Sequence, residues 1–119
     1  MNIEEFRNLC LNKKGITEEF PFDESTLVFK VMGKMFALVA LERLPAQCNL
    51  KCDPERAIEL REEHDGAIIP GYHMSKKHWN TLFLDNLPPQ LIKDLLDHSY
   101  DLVVASLTKK LKQELEDLD

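Results

Sequence analysis

Two apolar runs flank a glycine near the start of this chain, and they constrain its fold more than any other feature. Leu27-Val28-Phe29-Lys30-Val31 and Met35-Phe36-Ala37-Leu38-Val39-Ala40-Leu41 are too short for paired helices and rich in strand formers. Gly33-Lys34 between them reads as a tight hairpin turn. A lone hairpin is unstable in water, so the fold must supply more strands and a covering layer. Leu44-Pro45-Ala46 makes a second turn, and Gln47-Cys48-Asn49-Leu50-Lys51-Cys52 reads as a third strand, giving an antiparallel meander. The chain has 119 residues, 44% hydrophobic and 30% charged, which suits one domain with one core.

Helical signals bracket the meander. Over residues 2–13, Ile3, Phe6, Leu9 and Cys10 share a helical face, Asn2 stands at the cap and Glu4 and Glu5 fall in the first turn. Gly15 closes that helix, with Lys13 and Lys14 in its last turn. Extended structure begins at Thr17, and Phe20-Pro21-Phe22-Asp23 forms an apolar turn. Asp53-Pro54-Glu55 starts a second helix running to about His64, and Asp65-Gly66 stops it. Two further strands follow, 67–70 and 78–84. In the second, Trp79, Thr81 and Phe83 face one way, and Asn80, Leu82 and Leu84 the other.

Leu87-Pro88-Pro89 opens a helical region with a stripe at Leu91, Ile92, Leu95 and Leu96. Ser99 reads as the cap of another helix, carrying Leu102, Val103 and Leu107. Residues 108–119 form a helical tail with leucines at 111, 115 and 118. The order is helix, three strands, helix, two strands, helices. It predicts a single α+β two-layer domain over 1–119, an antiparallel sheet with helices on one face.

Composition narrows function by exclusion. No apolar run reaches the roughly 20 residues of a membrane span, and the acidic, amphipathic start is not that of a secretory signal, so a cytoplasmic protein is expected. Cys10, Cys48 and Cys52 are an odd set that reads as reduced, buried thiols rather than a disulfide framework or a zinc site. No nucleophile elbow, His-Glu-x-x-His or phosphate-binding glycine loop occurs, so no enzyme and no cofactor is expected. The net charge of −6 opposes bulk attraction to nucleic acid. Residues 25–84 nevertheless hold eight bases against seven acids, so any anion-binding face comes from the middle of the chain.

That middle contains one chemical exception, residues 70–80, which carry two histidines, two lysines and two aromatics without one acid. Tyr72, His73 and Trp79 have faces that stack on bases, and Lys76 and Lys77 pair with phosphates. Lys30, Lys34 and Lys51, on the first three strands, extend the cationic set if the hairpins lean the same way. Against this, Trp79 is the sole tryptophan and suits a sheet anchor better than an open stacking surface.

Several blocks resemble the MmcQ/YjbR family: Glu19-Phe20-Pro21-Phe22, Val28-Phe29-Lys30-Val31, Gly33-Lys34-Met35-Phe36-Ala37, Leu50-Lys51-Cys52-Asp53-Pro54-Glu55, Pro70-Gly71-Tyr72-His73-Met74, Lys77-His78-Trp79-Asn80 and Ser99-Tyr100-Asp101-Leu102-Val103. They fall in family order across residues 19–107; Asp23 departs from a glycine common at that turn. The resemblance implies a fold similar to bacterial frataxin (CyaY-like) and double-stranded DNA as partner, contacted by paired wing-like hairpins. An iron role is not carried over, since only Glu4 and Glu5 stand where an acidic ridge needs a cluster. The alternative is a non-enzymatic protein-interaction module.

Overall fold

Six strands form one antiparallel sheet in the order β1-β2-β3-β4-β6-β5 in a computed structural model that describes residues 1–71 and 74–118. The strands are β1 (Ile16–Glu19), β2 (Thr26–Val31), β3 (Lys34–Ala40), β4 (Gln47–Lys51), β5 (Ile68–Pro70) and β6 (Trp79–Phe83). The helices are α1 (Ile3–Leu11), α2 (Pro54–Glu63), α3 (Pro89–Ser106) and α4 (Lys109–Glu116), with a 3-10 turn at Leu84–Asn86. The α+β two-layer expectation holds.

Local chemistry explains the helix starts. Asn2 accepts from the Glu5 backbone N–H at 2.7 Å, and the Glu5 side chain accepts from the Asn2 N–H, a reciprocal capping box. Asp53 accepts from the Arg56 N–H, and Pro54 begins α2 without losing a hydrogen bond. Thr108 accepts from the Leu111 N–H and caps α4.

Alternation along the strands divides the side chains between two faces. Leu27, Phe29 and Val31 of β2, Ala37 and Val39 of β3, Cys48 and Leu50 of β4 and Leu82 of β6 join Phe6, Leu60, Ile92 and Leu96 from the helices in the main core. The opposite face carries a much smaller cluster, Val28, Leu38 and Trp79, with Met35 and Met74 against it.

Four sequence expectations need correction. The chain has six strands, not five, because Ile16–Glu19 pairs with β2 as an edge strand. The hairpin turn is Met32-Gly33, with φ of 49° and 85°, and Lys34 already lies in β3. Two positive φ values match the twist of the flanking strands, and glycine supplies one of them without strain. Helix α1 ends at Asn12, so Lys13 and Lys14 lie beyond it; Lys13 pairs with Asp97 at 2.5 Å. Ser99 caps nothing: α3 runs unbroken through it, and the residue is fully buried.

Ser99 instead ties α3 to the sheet. A register shift opposite Phe29 and Lys30 sends Phe36 and Ala37 both into the helix-side core. The Ser99 hydroxyl donates to the Phe36 carbonyl at 2.6 Å and accepts from the Lys51 N–H at 2.9 Å. One side chain thus bridges β3 and β4 just beyond Ala37 and Leu50, the last pair of their ladder.

At the chain's end, Leu115 of α4 is buried. Gly15 has φ of +77°, a conformation that strains any other residue, and a Cβ there would approach Leu115 Cδ1 to 2.5 Å and make that side chain shift.

Two stability predictions follow from this packing. Ser99→Ala leaves a buried donor and acceptor unpaired, and should cost about 1–3 kcal/mol in urea unfolding. All three cysteines are buried, and burial raises their pKa values, that of Cys52 from the ordinary 9.0 to about 11. A raised folded pKa gives stability that is complete below pH 9 and lost as pH rises through the folded value. The unfolding free energy from urea titrations should therefore fall between pH 9 and 11, by about 1.4 kcal/mol per pH unit for each thiol. Replacing Cys52 by alanine should make that fall shallower.

Candidate nucleic-acid interface

Antiparallel order decides which residues share an end of the sheet. β2, β4 and β5 finish at one end, where β3 and β6 begin. The Met32-Gly33 turn and the β5–β6 connection therefore project from the same end. Lys34, Lys51, Lys76 and Lys77 gather there, with Lys30 just inside on β2. Topology thus brings both connections to one end of the sheet, with Lys34 turned toward the helical layer at Ser106.

The individual side chains differ. Lys76 and Lys77 are exposed, in the connection before β6. Lys34 is exposed and donates to the Ser106 carbonyl at 3.3 Å, a contact with solvent access. Lys51 is half-buried beside Trp79, its register partner across β4 and β6. Lys30 forms an ion pair with Glu19 on the edge strand, which competes with any phosphate for its ammonium. Trp79 is only 7% exposed and packs with Val28 and Leu38, so its ring is a sheet anchor rather than an open stacking surface. Tyr72 and His73 lie outside the described residues.

Sequence reasoning missed the residues that hold this end in place. Arg61 of α2 donates from Nε to Asn80 Oδ1 at 2.7 Å, and from its other nitrogen to the Lys76 carbonyl. Asn80 is buried in β6, and its amide donates to the Ala57 carbonyl. The Cys52 N–H donates to the His78 carbonyl at 2.7 Å, joining the end of β4 to the same connection. Gly71 completes the clamp: its N–H donates to the Trp79 carbonyl, and a Cβ there would meet Trp79 Cβ at 3.0 Å. The signal for Asn80 was its type, since asparagine disfavours a strand interior unless its amide is used.

Electrostatics elsewhere are structural. The Arg7 guanidinium donates to both Glu18 carboxylate oxygens, at 2.7 and 2.5 Å, and holds that carboxyl below its ordinary range. No group of three or more metal-ligating side chains occurs among the described residues. No helix among them is long and apolar enough to cross a membrane.

The fold and this end together define a class: small α+β domains whose antiparallel sheet is covered by helices on one face and has two strand connections at the same end. The YjbR family model matches residues 11–102, and the chain belongs to the YjbR family. It is 35% identical over 120 residues to the protein YjbR of Escherichia coli (strain K12), covering 99% of this chain and all of that one. The protein YbdF of Escherichia coli O157:H7 is 35% identical over 105 residues, 87% of this chain and 85% of YbdF. A crystal structure of a Deinococcus radiodurans protein with a DUF419 domain superposes with a TM-score of 0.91 at 42% identity, covering 97% of this chain and 88% of that one. A Pseudomonas syringae protein gives a TM-score of 0.72 at 27% identity, covering 86% and 98%.

The Arg61 clamp is testable on its own. Arg61→Met removes a charge-assisted hydrogen bond from the 74–78 connection. Amide exchange of His78 and Trp79 should speed up about tenfold, while β2 and β3 keep their protection.

Proposed function

We propose that this protein is a non-enzymatic DNA-binding domain that contacts the duplex with the lysine-bearing end of its sheet. The observation that carries the reading is the meeting of Lys34, Lys51, Lys76 and Lys77 at one end, on or beside two projecting connections.

Spacing supports a duplex. The two connections leave the sheet three strand positions apart, centre to centre, which at about 4.8 Å per strand is about 14 Å. The major groove is about 12 Å wide, so the two tips suit phosphates on either side of it. Stacking of Trp79 on an unstacked base is not favoured, because the one indole is packed away. The contact is then mainly with the backbone and depends little on sequence.

Charge sets the strength. With Lys30 paired to Glu19 and a net charge of −6, three or four lysines are the realistic complement. Counterion release from about three contacts gives a slope of roughly −3 for log K against log salt. Fluorescence anisotropy with a labelled duplex should show weak binding near about 50 mM salt that falls with that slope. Lys34→Ala with Lys77→Ala should weaken binding and flatten the slope by about 2. Absence of saturable binding at low salt, or a slope unchanged in the double variant, refutes this reading.

A second reading, a protein-interaction module, has its own observation. At the opposite end of the sheet Phe20, Leu41 and Leu44 are exposed, Leu44 to 86%. If that end docks a protein, Leu44→Glu should abolish the association and leave duplex binding intact.

A further inference from the structure

The open face of the sheet, opposite the helices, holds a groove of about 590 Å³ that neither reading uses. Its floor is apolar: Met35, Leu38 and Ala40 of β3, with Met74 from the connection before β6. Phe22, 66% exposed, forms a wall and is held out by the turn that precedes β2. A volume of this size lies within the range of about 300–1,000 Å³ typical of small-molecule sites. Two methionines in the lining let it adapt to different shapes.

The polar groups in this groove divide sharply. Asp23 is saturated: its carboxylate accepts from the Ser25 N–H at 2.9 Å, the Thr26 N–H at 2.6 Å and the Thr26 hydroxyl at 3.1 Å. These bonds hold it ionised, with its pKa below the ordinary range. Thr26 is occupied by that same contact. Asn49 accepts from the Thr81 hydroxyl through Oδ1, while its amide nitrogen donates to no partner among the described residues. Arg43 lines the groove and makes no ion pair among the described residues. The unused capacity is thus on the donor side, from a guanidinium and an amide.

We infer that the groove binds a small organic monocarboxylate, its apolar body on Met35 and Leu38 and its carboxylate on Arg43 and Asn49. A guanidinium presents paired donors that match a carboxylate. One arginine and one ionised aspartate line the same groove, a balance that accommodates a single negative charge and opposes a dianion such as a phosphate monoester. The groove borders the lysine-bearing end through Met35, Met74 and Ser75 but uses none of its lysines, so the inference does not rest on DNA binding.

The test uses 1-naphthylacetate and its neutral isostere 1-naphthylacetamide in a ¹⁵N amide titration of the whole chain. The acid should shift the Leu38, Ala40, Asn49 and Met74 amides saturably, and the amide should bind at least about tenfold more weakly, ~1.4 kcal/mol. Arg43→Gln, at an exposed position, should reduce the acid's affinity to that of the amide and leave the amide's affinity unchanged. Equal affinities for the two probes, an unaffected Arg43→Gln variant, or shifts confined to other surfaces would overturn the inference. So would a concentration-dependent dimer abolished by Phe22→Ser, which would assign the face to a second copy of the chain.

Discussion

The buried hydroxyl of Ser99 is the contact on which the arrangement of layers depends. It accepts from the Lys51 N–H and donates to the Phe36 carbonyl, so it completes backbone pairing that the strands do not complete directly. A hydroxyl can do both at once, which alanine or valine cannot. The same contact sets α3 over β3 and β4. One residue on, Tyr100 meets Phe36 edge-on at 5.5 Å and donates its hydroxyl to the Lys14 carbonyl at 2.7 Å. Helix, irregular strand and N-terminal segment are registered by two adjacent side chains.

That registration has a consequence for the open face. The extra residue at Phe36 turns two consecutive side chains of β3 toward the helices. Only Met35, Leu38 and Ala40 of that strand are left to line the groove on the other side. The thinness of the Val28, Leu38 and Trp79 cluster is therefore a result of where the core draws its side chains. Trp79 compensates by spreading a large ring over the end of the sheet, which removes it from base stacking and braces the connection carrying Lys76 and Lys77.

Local signals in the sequence were read correctly where the chemistry is local. Asn2 with Glu5, Asp53 with Pro54, and the glycine between two apolar runs each act within a few residues, and the elements they start or join are present. Strand β1 escaped because Ile16-Thr17-Glu18-Glu19 has one apolar residue and sits at an edge, where charge discourages further pairing and hides alternation. Ser99 with Asp101 two residues on imitates a helix start; only a partner 63 residues away shows that its hydroxyl is committed elsewhere. Lys30 looked like any other strand lysine because its neutralising partner, Glu19, lies on the strand that was not recognised. The residues of the groove come from separate segments between Phe22 and Ser75, so no spacing in the sequence announces them.

The charge pattern gives the molecule its polarity. Acids outnumber bases on α1, α2 and α3, whereas α4 carries three lysines against two glutamates. The lysines of the central segment collect at one end of the sheet because antiparallel order brings Lys34, Lys51 and Lys77 together from distant positions. A negative helical layer repels a polyanion that approaches from behind, while a compact group of lysines attracts it at one end. With a Debye length of about 8 Å at physiological salt, charges on the far layer are screened from that end. The local sign then matters more than the net charge. An acidic protein can carry an anion-binding edge where topology separates the two sets of charges, and the DNA-binding proposal rests on that separation in this sheet.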